Sequence, residues 1–337
     1  MTEKTVSPSP ARAAAAVALR PSILDHRLHW RVMLPVLLLL VALPTIANAM
    51  NEGFYIGVAS RVLVFALAAT SLNFILGFGG MVSFGHAAFM GLGAYTVGVL
   101  MQQGLPSAWL AWPLAMLMGA GFALLVGAIS LRTQGVYFIM ITLAFAQMLY
   151  YLIMSFKALG GDDGLSLPSR SQLGLGLDLA DDATFYYVVL ALVVLCMLAM
   201  ARMLNARFGH VLQAIKENET RMAAIGYPVY RYKLVAFAIA GAFAGLAGAL
   251  LANQSSFVGP GMLQWSQSGI LLIMVILGGV GHLYGGLLGA AVFLLLEEFL
   301  AAYTMHWQLG LGAVLLIVVL VAPNGLLSLR RGMWRKP

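Results

Sequence analysis

"NFILGFGGMVSFGHAAFMGLGAYTVGVL", Asn73 to Leu100, holds seven glycines, one histidine and no formally charged side chain. Glycine in an apolar segment lets a second backbone approach closely and tolerates the dihedrals of a broken helix. Gly77, Gly79, Gly80, Gly85, Gly91, Gly93 and Gly98 therefore suit tight helix packing or an interrupted helix, with Asn73, Ser83 and His86 adding polar side chains.

The surroundings decide where such a segment sits. Of 337 residues, 61% are hydrophobic and 9% charged, with a mean hydropathy of +0.92. A soluble protein carries about 25% charged residues. Here apolar runs of about 20 residues alternate with short polar pieces, the pattern of membrane-crossing helices. The runs fall at 32–47, 56–77, 81–101, 108–129, 136–156, 184–204, 232–252, 266–281, 283–303 and 307–322. Those at 266–281 and 307–322 are short for about 30 Å of hydrocarbon. The fold class expected is an all-α polytopic membrane bundle with eight to ten crossings.

Charge sets the orientation. Lys4, Arg12, Arg20, Arg27 and Arg31 precede the first span; Arg132 follows the fourth; Arg202, Arg207, Lys216, Arg221, Arg231 and Lys233 flank the connector at 205–231; Arg330, Arg331, Arg335 and Lys336 close the chain. With ten crossings all of these share one side. The longest opposite loop, 157–183, has five aspartates against Lys157 and Arg170. The positive-inside rule then puts both termini in the cytoplasm. The net charge of +7 reflects this topology rather than a nucleic-acid surface. Residues 1–31 read as a retained, partly disordered cytosolic tail, 32–322 as the membrane domain, and 323–337 as a basic tail. Arg61 sits inside the second span, where snorkelling or a shifted boundary accounts for it. Cys196, the single cysteine, reads as a buried structural thiol.

No segment is long enough for a soluble catalytic domain, and the chain has no Walker A pattern, zinc-type cysteine spacing or HExxH. The chain is therefore expected to catalyse nothing itself. An ion-coupled transporter would need a buried ionisable relay, and a membrane enzyme a polar cluster at an interface; neither pattern is evident.

The connector continues "AIKENETRMAAIGYPVYRYK", in which Gly226 suits a helix end and Pro228 a helix stop. Ala223, Ala224 and Ile225 put a small apolar surface where a polar one would ordinarily stand. Two readings fit: a helix packed beneath its own bundle, or a helix docked in a partner's groove with Lys216, Glu217, Glu219 and Arg221 as a charged rim.

Ala223, Ala224 and Gly226 resemble the permease signature of ATP-driven importers. "NFILGFGGMVSFGHAAFMGLGAY", "LRTQGVYFIMITLAFAQMLYYLI", "GGDDGLSLP", "AIKENETRMAAIGYPVYRYKLVAFAIAGAFAGLAGAL" and "ILGGVGHLYGGLLGAA" together resemble the LivM-type permease of branched-chain amino acid importers, in the same order and over nearly the whole membrane domain. The resemblance implies a bacterial inner-membrane subunit paired with a LivH-type permease, a periplasmic binding protein that delivers substrate, and two cytosolic ATPases that bind ATP and magnesium. It implies that Lys216 to Pro228 docks on an ATPase. It also implies a gated path, with Asn73, Gly79, Gly80, Ser83, Gly85, His86, Gly91 and Thr142 as candidate lining; packing alone is the competing role for His86. Asp162 and Asp163 are either solvated turn residues or contacts for the binding protein. Relatives that carry urea, short amides, other amino acids or aromatic acids look alike at this level. "GGVGHLYGG", Gly278 to Gly286, again sets a histidine among glycines and raises an internal repeat relating His86 to His282.

Overall fold

The computed structural model describes residues 30–49, 53–174, 178–322 and 325–327. The predicted tails at 1–31 and 323–337 therefore lie almost wholly outside the described residues. The described chain is mainly helical, its longest connection lying between Ser155 and Asp182. Its helices are α1 Trp30–Ala49, α2 Phe54–Gly77, α3 His86–Gln102, α4 Ala108–Ser130, α5 Val136–Ser155, α6 Asp182–Leu204, α7 Arg207–Glu217, α8 Glu219–Ala224, α9 Val229–Ser255, α10 Trp265–Gly278, α11 Gly285–Tyr303 and α12 Trp307–Val321.

Six of these (α2, α4, α5, α6, α9 and α11) are long and apolar enough to cross a membrane. Three shorter apolar helices lie at Leu34–Asn48, Trp265–Gly278 and Trp307–Val318. The expected eight to ten crossings thus resolve into six full-length helices and shorter pieces. One boundary moves substantially: the run predicted at 81–101 is helical only from His86.

The centre of the bundle is α2, apolar around its whole circumference and buried from Leu63 to Gly77, as a helix without a polar face must be. It packs against α11, α9 and α6. The longest helix, α9, packs on α4 and α3 through a stripe of Gly241, Gly245 and Gly248. A Cβ on Gly248 would overlap the carbonyl of Met90, and one on Gly245 the carbonyl of Ala115. These backbones therefore touch directly, which only small residues permit. α1 rests on α6, where the Tyr186 and Tyr187 hydroxyls donate to the Leu40 and Val41 carbonyls at 2.8 and 3.1 Å. Leu38, Leu39, Leu117, Leu195, Leu309 and Leu320 face outward and suit a hydrocarbon solvent.

The two ends of the bundle differ. At one end the chain between α5 and α6 folds back as strand β1, Leu165–Ser166, antiparallel to β2, Phe257–Val258, with Leu165 opposite Val258. Asn253 accepts from the Ser171 amide at 2.6 Å, and the Arg170 guanidinium lies 4.7 Å from the Phe185 ring centre. Asp181 caps α6; the amide and hydroxyl of Thr184 donate to its carboxylate and hold it below the usual carboxylate pKa. The opposite end carries α7 and α8. There the Tyr230 hydroxyl bonds the Ala128 carbonyl at 2.9 Å, so the α4–α5 turn with Arg132 lies alongside.

Candidate functional site

The glycine-rich stretch is a helix break. At the end of α2 the amides of Gly79 and Gly80 turn back to the carbonyls of Ile75 and Leu76, and the Met81 amide also bonds Ile75. Gly80 takes φ +69°, a left-handed conformation that Cβ-bearing residues resist. The chain then runs without helix to Gly85. The Phe84 amide donates to Thr142 Oγ1 of α5 at 3.2 Å, and the Gly85 amide to Ser83 Oγ at 3.2 Å. α3 begins at His86, and its second amide, on Ala87, is met by Ser268 Oγ of α10 at 2.9 Å. Two of the backbone donors at the break, on Phe84 and Ala87, are thus taken up by side chains of neighbouring helices, and a third, on Gly85, by Ser83 within the break, in keeping with the need to satisfy backbone groups inside a membrane protein.

His86 is fully buried, with Nε2 at 2.7 Å from Ser71 Oγ. The Ser71 hydroxyl already donates to the Ala68 carbonyl at 2.7 Å. Its single proton being used, the tautomer that completes the pair has Nε2–H donating to Ser71. Nδ1 is then an acceptor, and it has no hydrogen-bond partner among the described residues.

A second break meets the first. Between α10 and α11 the chain passes through Gly279 and Gly281, both at positive φ. Asn73 of α2 grips this turn: its Nδ2 donates to the His282 carbonyl at 2.8 Å, and its Oδ1 accepts from the Gly281 amide at 3.0 Å. The two histidines suggested as repeat partners hold different places, His86 at a helix start and His282 inside a turn.

The predicted lining residues thus come together, but inward. Asn73, Ser83, His86 and Thr142 are buried within this chain, and Gly91 packs against Leu263. Two cavities, of about 400 and 450 Å³, are lined by none of the eight.

The connector forms α7 and α8 in sequence. Asn218 caps α8, accepting from the Arg221 amide at 2.8 Å. Gly226, at φ +91°, closes it with a Schellman pair: its own amide bonds Ala223, and the Tyr227 amide bonds Met222. Ile215, Met222 and Val229 form a small core of their own beneath this corner. Ala223, Ala224, Ile225, Gly226, Tyr227 and Pro228 remain exposed, Ile225 at 64%. The charged residues divide differently from the rim drawn from sequence. Glu217 and Arg221 are exposed, but Glu219 pairs with Lys233 at 2.5 Å. Lys216 is exposed as well, yet its Nζ reaches back to donate to the Gly77 carbonyl at 2.6 Å, with its stem on Gly80. That carbonyl belongs to the C-terminal turn of α2, where a helix presents negative potential.

Asp162 and Asp163 lie at the other end, exposed in the loop leading to β1. Sequence reasoning also passed over Ser71, Ser268 and the partner of Arg61. The Arg61 guanidinium lies 3.3 Å from the Glu297 carboxylate of α11. A charged residue in each of two apolar runs was the available signal.

Known proteins resemble this chain in sequence. The family model described as the permease component of branched-chain amino acid transport systems matches residues 54–320. The LivM permease protein of the high-affinity branched-chain amino acid transport system of Escherichia coli K12 is 30% identical, over 87% of this chain and 75% of its own length. The LivH permease protein from the same strain is 26% identical, over 78% of this chain and 91% of its own. A probable LivM permease of Methanocaldococcus jannaschii is 23% identical over 78% and 90%. No solved structure matches. The chain therefore belongs to the permease family of branched-chain amino acid transport systems and is a membrane-spanning permease subunit of the ABC importer type.

Proposed function

We propose that this chain is the LivM-type subunit of an ATP-driven importer of branched-chain amino acids, pairing with a LivH-type permease in the bacterial inner membrane. The observation that carries the coupling mechanism is the α7–α8 corner, a helix pair with its own core and an exposed Ala223–Pro228 face. Lys216, Glu217, Glu219, Arg221, Ala223, Ala224, Gly226 and Pro228 form or support the segment that meets an ATPase. The basic residues Arg132, Arg202, Arg207 and Arg221 collect at this end, which favours its cytoplasmic placement. The binding protein meets the opposite end, where Asp162 and Asp163 are exposed. ATP and magnesium belong to the two partner ATPases.

Mechanically, ATP closes the ATPase pair and displaces α7–α8. Lys216 passes that displacement to the end of α2 and the adjoining break. Asn73, Gly79, Gly80, Ser83, Gly85, His86, Gly91 and Thr142 then serve as the hinge at the border of the path, which the burial of all but Gly80 and the bonds at Ser83, His86 and Thr142 support. The substrate assignment rests on the similarity to the LivM and LivH proteins.

The deciding experiment reconstitutes the chain with its partner permease, ATPases and binding protein, and measures ATP hydrolysis driven by each candidate substrate. Leucine, isoleucine and valine are expected to stimulate it. Stimulation by urea, short amides or aromatic acids alone would keep the architecture and reject the substrate. Ala223→Glu, which puts a charge on the exposed face of α8, is expected to weaken ATPase co-purification at least tenfold while insertion is unchanged. Undiminished co-purification would remove this face from the interface.

A further inference from the structure

A cavity of about 400 Å³ lies among α2, α10, α11 and α12, away from the helix breaks. Ligand pockets of about 300–1,000 Å³ characteristically have apolar walls and a few placed polar groups. This one has walls that include Ile270, Phe293 and Leu311, and it holds Arg61, Glu297, Gln267 and Gln308. Arg61 lies seven residues into α2, about 10 Å along the helix at 1.5 Å per residue. Both charges therefore sit well inside membrane-spanning helices.

The pair is only partly buried, the Arg61 side chain 40% and the Glu297 side chain 19% exposed, and it is sparsely bonded within the chain. Among the described residues Arg61 has one contact with Glu297, at 3.3 Å, and a ring contact with Phe65 at 5.8 Å. A guanidinium offers five donors and a carboxylate about four acceptor sites, so most of the capacity of both groups points elsewhere. Asn73, by contrast, uses both ends of its amide on the turn it grips. An under-used cation and anion side by side, beside two carboxamides and an apolar wall, form a complement to a molecule of the same pattern.

We propose that this cavity binds a zwitterion, its anionic group on Arg61 and its ammonium on Glu297, with an apolar side chain against the wall of Ile270 and Phe293. Resting on the import reading above, it is a transient stop for a neutral α-amino acid inside the permease. An ethanolamine phospholipid headgroup shares the anionic and ammonium chemistry, and lipid composition separates the two sources.

The test uses the assembled permease pair, without binding protein, in nanodiscs of phosphatidylcholine and phosphatidylglycerol, with labelled leucine as probe. Saturable binding is expected, displaced by valine but not by 4-methylpentanoate or 3-methylbutylamine, each lacking one charged group. Arg61→Gln/Glu297→Gln removes both charges together and leaves no lone ion; it should weaken binding at least tenfold. Ile270→Trp, which fills the cavity and keeps both charges, should do the same. Adding phosphatidylethanolamine should leave leucine binding unchanged. If ethanolamine lipid binds in a charge-dependent way and leucine does not, the amino-acid site is overturned. Leucine import by the full complex is measured alongside. Import with no binding, or binding indifferent to both variants, overturns the cavity proposal and spares the import reading. Absence of leucine import and binding together overturns both.

Discussion

Gly248→Leu is expected to abolish recovery of folded permease, and Gly248→Ala to destabilise it by about 3 kcal/mol, near the upper end for overpacking a close-packed interior. The reason is the absence of anywhere for the new atom to go. A Cβ at Gly248 overlaps the Met90 carbonyl, and its next neighbours are also backbone. A side chain could swing away; two helix backbones can only separate. Separation would loosen α3 from α9 and disturb α4, which leans on Gly245 and Gly241 of the same stripe. Gly121→Ala on α4 is the control. Its Cβ meets nothing within 4 Å, and alanine favours a helix, so it should be neutral or mildly stabilising. Thermal unfolding in detergent, followed by size-exclusion chromatography, reads both. Equal midpoints for Gly248→Ala and the wild type would disprove the direct backbone contact.

Lys216→Met should give a different defect, one of transmission. Methionine keeps much of the stem that covers Gly80 and loses the ammonium that holds the Gly77 carbonyl. A hydrogen bond from a charged donor contributes about 1.5–3 kcal/mol, so import is expected to fall by about 10- to 100-fold. ATPase docking should persist, because Lys216 is not on the exposed Ala223–Pro228 face. The pattern to look for is ATP hydrolysis with little substrate movement. Normal import by Lys216→Met would show that force reaches α2 by another route, and loss of docking would return Lys216 to the interface.

These two predictions also mark how far the residues can be read before folding. Most helices are legible because the length of a hydrophobic run reports a membrane segment whichever way its faces turn; α4, α5 and α12 begin at the residue expected. The start of α3 is not, since "MVSFG" is as apolar as the helix after it. What sets the break is the left-handed turn at Gly80 and the Phe84 amide's bond to the Thr142 hydroxyl oxygen, and hydropathy carries no record of them. The glycines signalled a break or close packing, and both occur. Lys216 read as a surface charge and is exposed, but its acceptor lies 139 residues away and was not legible. The glycine-rich stretch, with Asn73, Ser83 and His86 in it, was legible from composition. Their partners, Ser71 and the Gly281 turn, emerge only from packing.

The grip of Asn73 on Gly281 and the pairing of Arg61 with Glu297 span 208 and 236 residues. At a synthesis rate of about 5–20 residues per second, α2 waits on the order of 10–50 s for either partner to leave the ribosome. For that interval a guanidinium and a carboxamide must be sheltered by the insertion machinery, by interfacial water or by a temporary neighbour. A chain that stops before Gly281 leaves both groups in its central helix without these partners.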